Sequence, residues 1–199
     1  TVLDNKTIKG IINELYYPIS PYEFSVLRVE ILGSAYEQFL GKQIKLSAGH
    51  RATIEEKPEV RKAGGVYYTP QYIVEYIVEN TVGKLAPLNT PEGAKQITPA
   101  AVAKLKIVDP ACGSGSFLLG AYQYLLNWHL QYYKPEFEKL TAVAQNSKEY
   151  NEKQRNDALK ERNKLPLTPT GNLITALKKQ ILLNNIYGVD IDTQAVEVT

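Results

Sequence analysis

The sequence has very little of three features that mark special classes of protein. It contains one cysteine, Cys112, so no intramolecular disulfide can form, and we expect a reducing, cytoplasmic location. Its apolar runs, such as Ile181-Leu182-Leu183, are far shorter than the roughly 18 residues that a transmembrane helix needs. Its histidines and its cysteine match no metal-ligand spacing. We therefore expect no disulfide scaffold, no membrane segment and no metal site.

Methionine is absent, and the first residue is Thr1. This predicts a chain that was processed or excised from a longer product. Neither sign of charge predominates, because the sequence has 23 Lys and Arg and 21 Asp and Glu, for a net charge of +2. An interaction with nucleic acid must then come from local sites. The 199 residues are 44% hydrophobic and 22% charged, which is typical of a folded globular protein of one or two domains.

Residues 1–62 are predicted to be a helical connector segment. Apolar residues recur every three or four positions over residues 25–40, which indicates an amphipathic helix that ends at Gly41. Residues 42–62 show no apolar period and hold six Lys or Arg against three Glu. We interpret them as an exposed basic connector.

Residues 63–199 are predicted to alternate helices and strands. Thr69 and Pro70 indicate a helix start, with Thr69 as the cap and Pro70 in the first turn, and the helix ends near Gly83. Its inward-facing residues are predicted to be Tyr72, Ile73, Ile77 and Val78. Residues 86–100 are rich in Pro and Thr and are predicted to form a loop.

Two short apolar runs indicate buried parallel strands at residues 105–109 and 186–190. Helices are predicted at 116–130 and 173–183, and another begins near residue 193. Residues 131–170 lack an apolar stripe and are interpreted as a partly helical insertion. The expected fold is α/β, with part of a doubly wound, mostly parallel sheet that resembles a Rossmann fold.

The loop after the first strand has the composition of a ligand site. Gly113 and Gly115 permit close backbone approach, and the following helix start offers N–H donors. A dinucleotide pattern would place a third glycine where Leu118 stands. Asp109 at the strand end would repel a pyrophosphate and attract an amino or sulfonium cation. The sequence therefore indicates a cationic or zwitterionic ligand.

The second strand ends in an acid as well. Asp190 stands where a carboxylate accepts hydrogen bonds from ribose hydroxyls, and Ile191 could lie against a purine. A ribose, an adenine and a cationic amino-acid end together describe S-adenosyl-L-methionine. The plainer interpretations are a tight turn at the glycines and a surface acid at Asp190.

Three segments resemble the motifs of N6-adenine DNA methyltransferases, in the order found in type IIG restriction-modification enzymes and their type I relatives. They are Gly65-Val66-Tyr67-Tyr68-Thr69-Pro70, Asp109-Pro110-Ala111-Cys112-Gly113-Ser114-Gly115-Ser116-Phe117 and Tyr187-Gly188-Val189-Asp190-Ile191-Asp192. Residues 31–40 also resemble the helical connector that precedes the methyltransferase domain of the type IIG group. The resemblance covers about residues 25–130 and 172–199.

The resemblance implies a role for each matching residue in binding S-adenosyl-L-methionine. Tyr68, Thr69 and Pro70 would close over the methionine end, Asp190 would hold the ribose, and Ile191 and Phe117 would flank the adenine. Asp192 would contact the adenine or cap the next helix. The methionine moiety would be lined by Asp109, Ala111, Cys112, Gly113 and Gly115. The implied macromolecular partners are double-stranded DNA, through the parent protein, and a specificity domain or subunit.

The sequence departs from the family in two ways. The long segment 131–170 separates Asp109 from Asp190, whereas a compact fold places the ribose acid roughly 20 residues after the loop. No Asn-Pro-Pro-Tyr type motif, which holds the target adenine, occurs in the chain. We expect it beyond residue 199, so we expect no catalytic residue here and no methyl transfer by these residues alone. A methyltransferase of RNA or of protein glutamine, and a non-catalytic interaction or specificity module, remain alternatives.

Overall fold

The computed structural model describes residues 4–21, 23, 26–27, 31, 42–49, 51–57, 69–89, 96–191 and 196. The chain divides into two compact units, Thr1–Tyr68 and Thr69–Thr199. The boundary falls slightly beyond the predicted limit at residue 62. The assignment of the two parts to a connector and a cofactor-binding domain stays a prediction.

Helix α1 of the first unit spans Asn5–Glu14. It begins after Asp4, whose carboxylate accepts a 2.7 Å hydrogen bond from the N–H of Thr7. This is the contact expected of an N-cap residue, because the first helical N–H groups have no partner within the helix. The predicted helix at residues 25–40 lies almost wholly outside the described residues.

The predicted basic connector at residues 42–62 contains a β-hairpin, which the sequence reasoning missed. Strands β1 (Lys42–Leu46) and β2 (Ala52–Glu56) pair antiparallel, with Ile44 opposite Ile54. The predicted exposure is confirmed, since 74% of Ile44 and 72% of Ile54 are accessible to solvent. A hairpin that buries so little surface needs no strong apolar pattern, and this is why the pattern did not reveal it.

Among its described residues, the second unit contains six helices, of which two are single turns of four residues, and a pair of strands. In chain order the elements are α2 (Gln71–Asn80), α3 (Val82–Leu85), α4 (Pro99–Val102), β3 (Ile107–Asp109), α5 (Ser116–Gln145), α6 (Glu152–Arg162), α7 (Thr175–Asn185) and β4 (Ile186–Gly188). The mixture of helices and parallel strands confirms the α/β class at this coarse level.

The main core lies where α2, α3, α5 and α7 meet. Its buried residues are Val74, Val78, Val82, Ala86, Val102, Ala121, Leu125, Trp128 and Ile181. The predicted inward face of α2 is partly wrong, because Tyr72 is 71% exposed and Ile77 is 39% exposed. The buried stripe follows Val74, Val78 and Val82 instead, at the four-residue spacing of one helix face.

Helix α5 is longer than predicted, since it continues from residue 130 to Gln145 and passes through Pro135. A proline removes one backbone donor, and packing along the rest of the helix can compensate for that loss. A second small core of Phe137, Leu167 and Leu173 lies against this half of α5. Helix α6 packs beside it, so the predicted helical content of residues 131–170 is confirmed.

Strands β3 and β4 form the predicted parallel pair within the two predicted apolar runs, but they are shorter than predicted. The prediction that they are buried is wrong, because the described residues cover only one of their faces. Ile107 and Ile186 pack against the main core, whereas Val108 and Val189 are 57% and 55% exposed. Helices thus cover one face of this two-stranded sheet. The predicted helix after residue 192 lies outside the described residues, apart from Val196.

Among the residues that the structure describes, no helix combines the length and the apolar character that crossing a bilayer requires.

Candidate functional site

The carboxyl ends of β3 and β4 are joined by backbone hydrogen bonds beyond the strands themselves. Asp109 pairs with Gly188 in the ladder, and the N–H of Val189 then donates to the carbonyl of Asp109 at 2.9 Å. The N–H of Cys112 returns to the carbonyl of Val189, also at 2.9 Å. The loop after β3 is therefore held against the segment after β4. This edge is where open parallel sheets bind ligands.

The loop owes its shape to two glycines. Gly113 has a φ of 53° and Gly115 a φ of 80°, both in the left-handed region that glycine enters without strain. Gly115 also precedes the first turn of α5, and no side chain caps this helix. The loop thus ends at a helix start whose backbone dipoles favour a negatively charged group.

Asp190 lies against the same loop. Its Oδ2 accepts a 2.8 Å hydrogen bond from the backbone N–H of Gly113, although the two residues are 77 positions apart. The sequence reasoning placed both residues in one site, and the structure brings them into direct contact. Asp190 thus stabilises the glycine loop as well as standing at the strand end predicted for the ribose acid.

Asp109 presents a carboxylate oxygen that has lost contact with water. Its Oδ1 accepts a 3.1 Å hydrogen bond from the N–H of Ala111, which fixes the first turn of the loop. Its Oδ2 is buried, and no hydrogen-bond partner for it occurs within the described part of the chain. A buried acceptor without a donor is costly, so such groups call for a specific explanation.

The start of α2 and the glycine loop lie at the same end of the pair that α2 and α5 form. Val74 of α2 meets α5 at Gly120, where an added Cβ would lie 2.5 Å from Cγ1 of Val74. Further toward the C-terminal end of both segments, the hydroxyl of Tyr124 in α5 donates to the carbonyl of Ala86, which directly follows α3, at 3.0 Å. The two segments therefore run in the same direction. Thr69 and Pro70, directly before α2, and Gly115, directly before α5, accordingly share one end of this helix pair.

The predicted capping of α2 is wrong by one residue. The helix begins at Gln71, Pro70 is its boundary residue, and no side chain caps it. The carbonyl of Pro70 accepts the first helical hydrogen bonds, from the N–H groups of Ile73 and Val74 at 3.0 and 3.2 Å. Thr69 therefore stands one position too early to act as the N-cap.

The remaining predicted residues occupy different surroundings. Cys112 is buried, at 5% exposure, whereas Ile191 is 88% exposed. Phe117 is half-buried and packs against the main core, so its predicted contact with an adenine is not evident from its packing. Tyr68 and Asp192 lie outside the described residues. Across the part of the chain that is described, no group of three acidic, histidine or cysteine side chains could hold a metal ion.

Two residues that shape the site were missed by the sequence reasoning. An added Cβ at Gly188 would lie 2.9 Å from Cδ1 of Leu118 and 3.0 Å from Sγ of Cys112, so the loop and α5 can approach β4 only over a glycine. Asn185, at the end of α7, is 1% exposed and bonds to the segment before β3. The available signal for Asn185 was a polar residue directly before the apolar run that begins at Ile186.

The N-6 DNA methylase family matches residues 28–148, which is more than half of the chain. RM.Eco57I of Escherichia coli, a type II restriction enzyme and methyltransferase, is 31% identical over 194 residues, covering 97% of this chain and 16% of that protein. No solved structure matches significantly.

Two further relatives carry related names. The adenine-specific methyltransferase BrxX of Escherichia coli O9:H4 is 26% identical over 216 residues, covering 96% of this chain and 14% of that protein. A putative type II restriction enzyme and methyltransferase of Methanocaldococcus jannaschii is 28% identical over 233 residues. The chain spans no more than 16% of the length of any of the three. The resemblance seen in the motifs is thus confirmed, and the chain belongs to the N-6 DNA methylase family.

Proposed function

We propose that this chain is the S-adenosyl-L-methionine-binding portion of a site-specific DNA adenine-N6 methyltransferase that acts in restriction-modification. The observation that carries the proposal is that Asp109 and Asp190 each accept a hydrogen bond from the backbone of one glycine loop, at the carboxyl edge of two parallel strands. The membership in the N-6 DNA methylase family supports the reaction class. The doubly wound sheet and the domain limits at 1–62 and 63–199 belong to the same proposal.

The unpaired oxygen of Asp109 fits the amino-acid end of the proposed cofactor. Asp109 Oδ2 is buried and finds no donor among the described residues. A primary ammonium group offers three N–H donors and a positive charge, so it would satisfy this oxygen and offset the cost of its burial. A pyrophosphate would instead face a carboxylate of like charge. The buried, negatively charged acceptor therefore favours the methionine end of S-adenosyl-L-methionine over a dinucleotide.

The other site residues divide the ligand between them. Asp190 accepts from ribose hydroxyls, and Ile191, exposed at the end of the segment, covers the purine together with Phe117. Tyr68, Thr69 and Pro70 close the methionine end from the start of α2. Ala111, Cys112, Gly113 and Gly115 line the path between the two acids with backbone and small side chains. When bound, the cofactor supplies an activated methyl group.

The chain's own part in the reaction is binding and orientation. Positioned ligands approach the reacting partner in line, which contributes much of the rate in methyl transfer between bound groups. The target adenine has to leave the stacked duplex to reach such a site. The sequence contains no Asn-Pro-Pro-Tyr type motif to hold it. We therefore propose that these 199 residues bind the cofactor without transferring its methyl group, and that double-stranded DNA and a specificity domain or subunit are partners of the whole protein.

Calorimetric titration with S-adenosyl-L-methionine tests the proposal. The wild-type chain should bind it, and Asp109→Asn and Asp190→Ala should each weaken binding by at least about tenfold, since each removes a charge-assisted contact. Asp157→Asn is the matched control, because Asp157 is an exposed acid on α6 far along the chain from both strands. A folded wild-type sample that does not bind would overturn the proposal. Methylation of adenine in a duplex by the isolated chain would overturn its second part.

A further inference from the structure

Asn185 makes a buried polar bridge that the proposed function has not used. It is the last residue of α7, directly before β4, and only 1% of it is exposed. Its Nδ2 donates to the carbonyl of Val102 at 2.9 Å and to the carbonyl of Leu105 at 2.8 Å. Both acceptors lie just before β3. One side chain therefore ties the entry of β4 to the entry of β3.

The two strands need such a tie because their own pairing is short. The ladder contains the pairs Ile107 with Ile186, Val108 with Tyr187 and Asp109 with Gly188. Three residue pairs supply few hydrogen bonds to hold the register, and a slip of one residue would shift a strand by about 3.3 Å and turn its side chains to the other face. Such a slip would break the 2.8 Å hydrogen bond between Gly113 and Asp190. It would also change the span between Asp109 and Asp190.

The polar side chain has a cost that an apolar residue would avoid. Asn185 Oδ1 is buried, and no partner for it occurs among the residues that the structure describes. A leucine here would remove that orphan acceptor but would leave the carbonyls of Val102 and Leu105 without their donor. A bridge to two backbone carbonyls is thus the arrangement that accounts for an asparagine at this position.

We propose that Asn185 is a positioning residue for the cofactor site. By joining the entries of β3 and β4 it fixes the strand register, and through the register it fixes the distance between the acids that hold the two ends of the ligand. The inference rests on the proposed function, because it assigns those two ends to Asp109 and Asp190. Asn185 itself does not touch the ligand.

Two ligands distinguish positioning from general stability. S-adenosylhomocysteine carries both ends and has to reach both acids, whereas adenosine carries only the ribose and adenine end. An incorrect distance between the two acids weakens the binding of a ligand that contacts both of them far more than the binding of a ligand that contacts only one. A merely destabilised protein has a smaller folded fraction, which lowers the apparent affinity for both ligands by the same factor.

The variants are Asn185→Ala, which removes both hydrogen bonds, and Asn185→Ser, whose hydroxyl can donate to one carbonyl. Asn184→Ala is the matched control, since that neighbouring asparagine contributes its backbone carbonyl to the bond with Lys106. Asn185→Ala should lose about tenfold or more in affinity for S-adenosylhomocysteine and less than about twofold for adenosine. Asn185→Ser should fall between Asn185→Ala and the wild type, and it keeps the test available if Asn185→Ala does not fold.

A second measurement is independent of any ligand. Amide hydrogen exchange at Gly113 reports the bond to Asp190, and Asn185→Ala should accelerate it while the amides in the middle of α5 stay protected. Equal losses for both ligands, or unchanged exchange at Gly113, would overturn the inference. A wild-type chain that binds neither ligand would overturn the proposed function instead. The exchange result would then still decide whether Asn185 holds the loop in place.

Discussion

The backbone N–H of Gly113 donates a 2.8 Å hydrogen bond to the carboxylate of Asp190, and this contact joins the loop after β3 to the segment after β4. The glycine is in the left-handed region, where its N–H turns toward the acid without steric cost. Asp190 is also the residue that we propose holds the ribose. One acid would then set both the shape of the loop and the position of the ligand.

Replacing Asp109 with asparagine should separate stability from binding. The change removes the negative charge from a buried group that has no donor in the described part of the chain and puts a neutral amide of the same shape in its place, while the remaining oxygen still accepts from Ala111. We expect Asp109→Asn to raise the free energy of unfolding of the unliganded chain by about 1 kcal/mol. Urea denaturation measures this value. Asp157→Asn should leave it within about 0.5 kcal/mol, and a lower stability for Asp109→Asn would contradict the argument.

Gly188→Ala should disturb the packing of the glycine loop and α5 against β4. The new Cβ would lie 2.9 Å from Leu118 Cδ1 and 3.0 Å from Cys112 Sγ, closer than such atoms approach without a shift. We expect a loss of about 1–3 kcal/mol, as for other overpacked sites. Thermal denaturation followed by circular dichroism is the measurement.

Gly10→Ala is the control for that change, because nothing lies within 4 Å of an added Cβ there and the residue is inside α1. A helical glycine replaced by alanine should gain about 0.5–1 kcal/mol for α1. Equal effects of the two alanines on the melting of the second unit would show that the contacts of Gly188 are not responsible.

Gly120→Ala should push α2 away from α5. The added Cβ would lie 2.5 Å from Cγ1 of Val74, which leaves no room for both helices at their present separation. We expect a loss of about 1–3 kcal/mol. Binding of the proposed cofactor should also weaken, because Pro70, the boundary residue of α2, belongs to the proposed site. The double variant Val74→Ala with Gly120→Ala should recover part of the loss. A double-variant cycle measures this coupling, and strictly additive effects would argue against the contact.

His129 should make stability fall in mild acid. It is 2% exposed, and burial lowers its pKa from the usual value, while the hydrogen bond to the carbonyl of Leu125 at 2.8 Å opposes this only in part. The unfolded chain then takes up a proton before the folded chain does. Stability is full above the ordinary histidine pKa of about 6.5 and decreases as the pH falls below it, toward the lowered folded pKa.

Urea unfolding between about pH 8 and pH 5 measures this dependence. His129→Gln should be less stable at neutral pH but should show a flatter profile through that window. His50→Gln is the matched control, since it removes the chain's other histidine. If the profile flattens with His50→Gln and not with His129→Gln, His129 is not the source of the pH dependence, and the prediction is wrong.

Local sequence was sufficient for the parts of the site that depend on neighbouring residues. The run from Ile107 to Asp109, the glycines at 113 and 115 and the acid at 190 gave the strands, the loop and the strand-end acids at their observed places. Strand ends and tight turns are written in short segments, because period, strand breakers and φ preferences act over a few residues. The length of α5 was underestimated because Pro135 and sparse aliphatics weakened the pattern there.

The sequence by itself determined the family, the two acids and the glycine loop of this protein. The tertiary structure decided what these residues contact: that Gly113 bonds to Asp190, that Gly188 leaves room for Cys112 and Leu118, and that Asn185 bridges Val102 and Leu105. These contacts join positions far apart in the chain. Local propensities carry no information about such distant pairs, so only the packing of the folded chain selects which of them meet.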